Sequence, residues 1–189
     1  MRKVLGEEFF ERKAPVVAKD LLGKYLVRKI NGKEVVLMIN ETEAYDGFLD
    51  KASHASRGQT PRNTPMFGRP AHIYVYFTYG IHWMLNIVCG KELYPSAVLI
   101  RGAGEVVGPA RLTKALSIDK TLNTLPLTKK NGLWIEDRGV VVSRKDIEAG
   151  PRIGIGYAGE WAQKPWRFFI KKASPVGRTR PREENVKLK

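Results

Sequence analysis

One cysteine and three histidines among 189 residues leave little material for a disulfide or metal scaffold. The single thiol, Cys89, excludes an internal disulfide and a zinc site built from several cysteines. Flanked by Ile87 and Val88, it reads as a small core residue. His54, His72 and His82 could be imagined around a metal with Glu41 or Glu43, but their spacings fit none of the short metal motifs. No metal and no organic cofactor is therefore expected. A G-x-S-x-G elbow is missing, and Gly102-Ala-Gly104 lacks the third glycine and the βαβ setting of a dinucleotide fingerprint. Long apolar runs are also absent. Residues 70–90 carry no Asp, Glu, Lys or Arg, yet His72, Thr78, His82 and Asn86 interrupt them and their short-range period is two. No membrane span is expected there. The opening MRKVLGEEFFERK has no apolar core of signal-peptide length, so an intracellular protein is expected, in cytoplasm and nucleoid or in a nucleus.

Acid is scarce as well. Thirty-three Lys+Arg against nineteen Asp+Glu leave a net charge of +14. Such an excess attracts polyanions, because phosphate backbones release counterions when lysine and arginine neutralise them. The excess is also clustered. Residues 161–189 hold nine basic residues against Glu183 and Glu184, and residues 51–72 carry Lys51, Arg57, Arg62 and Arg69 with no acid. Clustering of this kind is the footprint of a nucleic-acid binder.

The length suits one domain over 1–189, with a basic tail at about 175–189, and neither repeats nor a linker composition divides it. Pro15 followed by VVAKDLLG predicts a short helix ending at Gly23. YLVRKI, then Asn31-Gly32, then VVLMINETEAY predicts a hairpin. GPARLTKAL predicts a second helix, with Leu112, Ala115 and Leu116 on one face. WIEDR, GVVVS and RFFIKK are further strand candidates. In residues 73–88, Ile73, Val75, Phe77, Trp83, Leu85 and Ile87 alternate with Tyr74, Tyr76, Thr78, His82, Met84 and Asn86. That alternation predicts a hairpin with one aliphatic face and one face of tyrosines and hydrogen-bonding groups. Tyr79 falls at its tip, where it either wedges between bases or folds back onto the protein.

Glu41-Thr42-Glu43-Ala44-Tyr45 closes a hydrophobic strand, and alternation puts Glu41, Glu43 and Tyr45 on one face. A carboxylate leaving an apolar strand beside tyrosines can be desolvated into a useful base; a solvated pair of acids at a strand end is the plainer alternative. His54 lies in KASHASRGQTPRNTPMF, a polar basic loop of the kind that carries binding residues. These residues by themselves support a basic, aromatic-lined nucleic-acid binder and leave open whether it is an enzyme.

ETEAY, His54, QTPRN…MF, YVYxxYG, Asn86, VLIR and GYAGEWAQKPWRFF, in that order, resemble the alkyladenine (3-methyladenine) DNA glycosylases, the methylpurine family, from about Gly6 to Ile170. The resemblance implies an α+β fold: a single mixed domain with a curved, largely antiparallel sheet, flanking helices and a protruding hairpin. It implies a monofunctional hydrolase of base excision repair, acting as a monomer on double-stranded DNA that contains damaged purines. Glu43 would be the general base for the attacking water, and Arg101 with the backbone of Ile153 would position that water. Tyr45 would stack on one face of the extruded base, with His54 and Tyr76 on the other. Asn86 would disfavour bases with a guanine-type amino group, and Tyr79 would intercalate into the duplex. No lysine falls in the motif set, so no Schiff-base lyase step is implied. A non-catalytic nucleic-acid-binding protein is the alternative that charge and tyrosines allow, and a metal-dependent nuclease is a third.

Overall fold

The structure, a computed structural model, describes residues 2–171, and the basic tail expected over 175–189 lies outside the described residues. In chain order the elements are β1 (Lys3–Val4), α1 (Glu7–Phe10), α2 (Ala14–Asp20), β2 (Tyr25–Ile30), β3 (Lys33–Asp46), β4 (Ile73–Thr78), β5 (His82–Val88), β6 (Ser96–Ala103), β7 (Val106–Val107), α3 (Pro109–Ala115), β8 (Leu133–Asp137), β9 (Ile147–Gly150) and β10 (Arg167–Ile170). Short 3-10 turns include His54–Arg57 and Gly156–Gln163.

The strands form one open ten-stranded sheet whose main path runs β1-β8-β2-β3-β6-β5-β4. Every pairing is antiparallel, and β10 joins from the side, hydrogen-bonded to both β3 and β9. This is the α+β architecture expected. The Asn31-Gly32 turn forms as expected, with φ of 49° and 81°, so both central residues take the left-handed conformation that two-residue hairpins need.

The fourteen-residue β3 is the spine. On its core side Ile39, Thr42 and Ala44 are buried against α2, where the Thr42 hydroxyl donates to the Ala18 carbonyl at 2.8 Å. That series changes from odd to even numbers because the β3–β6 ladder slips register around Asn40 and around Arg101. A bulge adds one residue and reverses which face the following side chains take. The same reversal on β6 puts Ala103 in the core with Ile100 and Val98. Without these two bulges, the face that carries Ile39 would also carry Glu41 and Glu43.

Two expectations fail. Residues 139–143 (GVVVS) form no strand, and Val141 is exposed. The preceding β8 already has β1 on one side and β2 on the other, so β-branched side chains alone find no ladder there. On α3, Leu112 and Leu116 are buried as expected, but Ala115 is exposed and Thr113 takes the inward position. Thr113 is accommodated because its hydroxyl bonds the carbonyls of Trp83 and Ala110 at 2.9 and 3.0 Å. No described helix is long and apolar enough to cross a membrane.

Candidate active site

The non-core face of β3 meets the polar face of the β4–β5 hairpin around a cavity of about 390 Å³. Its lining includes Glu43, Tyr45, His54, Tyr76, Asn86, Arg101 and Ile153, and Tyr79 stands at its edge. These eight residues therefore fall on one pocket. They arrive from β3, the 3-10 turn after it, β4, β5, β6 and the segment after β9.

Glu43 is the centre. Its side chain is fully buried, which overturns the reading of a solvated acid. Its Oε1 accepts the Ile153 N–H at 2.8 Å and lies 3.3 Å from Arg101 Nη1; its Oε2 accepts the Tyr45 hydroxyl at 2.9 Å. Burial pushes the Glu43 carboxyl above the ordinary carboxylate range, and Arg101, the Ile153 amide, Tyr45 and Arg152 pull against that rise. Arg101 is itself held by Glu41, whose Oε1 receives Arg101 Nε at 3.0 Å and Arg167 Nη1 at 3.2 Å. The β6 bulge at Arg101 is what turns this guanidinium to the carboxylate side.

The walls are aromatic. The His54 ring lies edge-on to Tyr76, centroids 4.6 Å apart, and its Nδ1 is 3.0 Å from the Tyr74 hydroxyl. Desolvation inside the pocket lowers the His54 pKa to about 4, with Arg62 adding to the effect, so its imidazole is neutral at physiological pH. Burial lifts the Tyr76 phenol to about 12. Asn86 is buried, and its Nδ2 donates to the carbonyls of Tyr74 and Met84 at 3.2 and 3.4 Å. Two backbone anchors fix that amide at the pocket wall.

At the hairpin tip Tyr79 is 85 % exposed, so it does not fold back onto the protein. Tyr79 and Gly80 have φ of 52° and 67°, and the Ile81 N–H closes the turn onto the Thr78 carbonyl at 3.1 Å. A non-glycine residue held at positive φ costs on the order of 1–2 kcal/mol. Phe77 and Ile81 are exposed beside it, giving the tip an apolar surface. His72 and His82 sit elsewhere: His72 bonds the Pro70 carbonyl, and His82 is exposed at the start of β5. Among the described residues no group of three His, Cys, Asp or Glu is placed to hold a metal ion.

Sequence reasoning missed the residues behind the walls. Arg152 and Asp50 form a fully buried bidentate pair, at 2.6 and 2.8 Å. Arg62 lies 5.2 Å from the Tyr76 ring centre and donates to the Phe77 carbonyl. An Asp and an Arg separated by more than a hundred residues leave no periodic trace in a sequence. Arg152 could have been flagged only by its place next to Ile153.

A buried carboxylate beside the Arg101 guanidinium, opening onto an aromatic-walled cleft, makes a pocket that suits a flat ring. The chain matches the methylpurine-DNA glycosylase family over residues 8–107 and 105–174, and it belongs to that family. A Methanocella arvoryzae protein is 44 % identical over 199 residues, covering 94 % of this chain and 98 % of its own. A Legionella pneumophila protein of strain Paris is 41 % identical over 186 residues, covering 95 % and 100 %. Both carry the name "Putative 3-methyladenine DNA glycosylase".

Proposed function

We propose that this protein extrudes alkylated or deaminated purines from duplex DNA and hydrolyses their N-glycosidic bond with a water activated by Glu43. The observation that carries the proposal is the fully buried Glu43 carboxylate opening onto a cavity walled by Tyr45, His54 and Tyr76. A base cannot be attacked inside the stack, and damaged bases cost least to extrude. The exposed apolar tip of the hairpin, with Tyr79 foremost, suits insertion into the gap that extrusion leaves.

In the pocket, a purine lies between Tyr45 on one side and His54 with Tyr76 on the other, held by stacking. A purine nucleotide alkylated at ring N3 or N7 carries positive charge on its base. A neutral His54 and unionised tyrosines accept that charge without repulsion, and their rings attract it. Glu43 takes a proton from water as the water oxygen bonds to the anomeric carbon; the electrons of the N-glycosidic bond leave with the base. A base made cationic by alkylation departs neutral and needs no acid, whereas an uncharged deaminated base leaves as an anion that takes its proton from water. The carboxylate also steadies the positive charge that develops on the sugar. Arg101 and the Ile153 amide hold Glu43 in place and lower the cost of keeping it ionised.

Duplexes each containing one damaged purine, incubated with the protein in EDTA, test the proposal. Free base and an abasic strand are expected. Tight binding with no release on any lesion would favour the non-catalytic binding protein, and activity lost in EDTA would favour a metal-dependent nuclease.

A further inference from the structure

Arg152 lies behind the pocket and does not line it. Its guanidinium is buried completely and reaches four parts of the chain. Nη1 donates to Asp50 Oδ2 at 2.6 Å and to the Ala44 carbonyl at 2.8 Å. Nη2 donates to Asp50 Oδ1 at 2.8 Å and to the Trp161 carbonyl at 3.3 Å. Its central carbon lies 4.8 Å from the ring centre of Tyr45 and 5.2 Å from that of Trp166. Its Nε makes no hydrogen bond among the described residues. Because Tyr45 lines the cavity and Arg152 does not, the guanidinium backs the Tyr45 ring on the side away from the pocket.

Asp50 is as fully buried as its partner. Beyond the pair, its Oδ1 accepts the Ala52 N–H at 3.1 Å and its Oδ2 accepts the Asp46 N–H at 3.3 Å. It thereby shapes the turn that leads from β3 to Ser53 and His54. The chain neighbours of the pair are then informative. Arg152 directly precedes Ile153, whose N–H bonds Glu43, and the Ala44 carbonyl lies between Glu43 and Tyr45.

We propose that Arg152 and Asp50 are a positioning pair that registers the Ile153 amide, the Tyr45 ring and the His54 turn against Glu43. Neither residue touches the substrate. Only a planar, forked donor can satisfy two carboxylate oxygens and two carbonyls at once, so lysine cannot replace this arginine. Loss of the registration moves the Ile153 amide off Glu43 Oε1 and removes one of the groups that favour the ionised carboxylate. This inference rests on Glu43 being the base.

The readout is the pH dependence of single-turnover base release, because its midpoint does not depend on how much of a variant is folded. Other charges and titrating groups around Glu43 are chemically the same in the variants: Arg101 from β6, Tyr45 on β3, Tyr76 from β4, and Glu41 with Arg167 behind Arg101. Arg152→Lys keeps the positive charge, and Asp50→Asn keeps the shape and one acceptor. In Arg152→Lys the acid limb is expected to move to higher pH, and in both variants the plateau rate is expected to fall at least tenfold. Should either variant be poorly folded, its folded fraction still reports the midpoint when enzyme is in excess over DNA. An unshifted acid limb in Arg152→Lys, with a normal limb in wild type, would overturn the positioning role and leave Glu43's role intact. Base release by Glu43→Gln would instead overturn the reading beneath it.

Discussion

The Tyr45 hydroxyl donates to Glu43 Oε2 at 2.9 Å, so one side chain both walls the pocket and holds its carboxylate. Tyr45→Phe separates the two jobs. The ring remains for stacking, while the ionised Glu43 loses a donor. A hydrogen bond to a charged group is worth roughly 1.5–3 kcal/mol before compensation, so the Glu43 pKa should rise. Burial already raises the Glu43 carboxyl above the ordinary carboxylate range, and in Tyr45→Phe the acid limb of the pH–rate profile should move to higher pH than in wild type, with affinity for lesion DNA little changed. Stopped-assay rates between pH 4.5 and 8 check this.

Tyr79 should matter for duplex substrates and not for folding. Being exposed, Tyr79→Ala should leave the thermal midpoint unchanged while lowering excision from duplex DNA on the order of tenfold or more, since a wedge offsets part of a few kcal/mol of unstacking. Excision of the same lesion from single-stranded DNA should fall much less. Tyr79→Gly sharpens the point: relieving a residue at φ of 52° should raise stability slightly while activity on duplexes drops. Equal losses on single and double strands would remove the wedge role.

His54 makes stability depend on pH in one direction. Its folded-state pKa is depressed to about 4, so on acidification the unfolded chain takes up the proton first. The stabilisation is fully present above about 6.5, the unperturbed value, and is lost as pH falls toward 4. Urea midpoints measured at pH 7.5 and pH 5 should differ more for wild type than for His54→Gln. Parallel curves would mean that His54 is not held neutral.

Asn86 should set a size limit for the base edge. With its amide tied to the Tyr74 and Met84 carbonyls, it cannot swing aside for a bulkier purine. Asn86→Ala should raise excision of guanine-derived lesions relative to adenine-derived ones by several-fold. The cost in stability should be about 1–3 kcal/mol from the two carbonyls left without that donor. Product ratios from mixed-lesion DNA decide it.

The residues that meet in the pocket were readable because alternation survives in β4 and β5: Tyr74, Tyr76 and Asn86 share a face by simple period two. Glu43 and Tyr45 were readable only over the short stretch after the bulge. A strand read from Ile39 onward would have buried the face that carries Glu43, because nothing in Asn40 or Arg101 announces an extra residue in the ladder. The β-branched run at 139–143 misled for a related reason, since strand propensity describes a side chain that fits a sheet and says nothing of whether a partner edge exists. Arg152 and Asp50 stayed hidden because a buried ion pair is written in space, across 102 positions of sequence.

The most direct test of the account is single-turnover base release from an alkylated-purine duplex by wild type and by Glu43→Gln, which keeps the shape and the acceptor on Oε1 but cannot take a proton. Bound DNA that still carries its lesion is expected with the variant, with release at least a thousandfold slower, against rapid abasic-site formation by wild type. Release by Glu43→Gln within tenfold of wild type would contradict it and move the search for the base to another residue of the pocket.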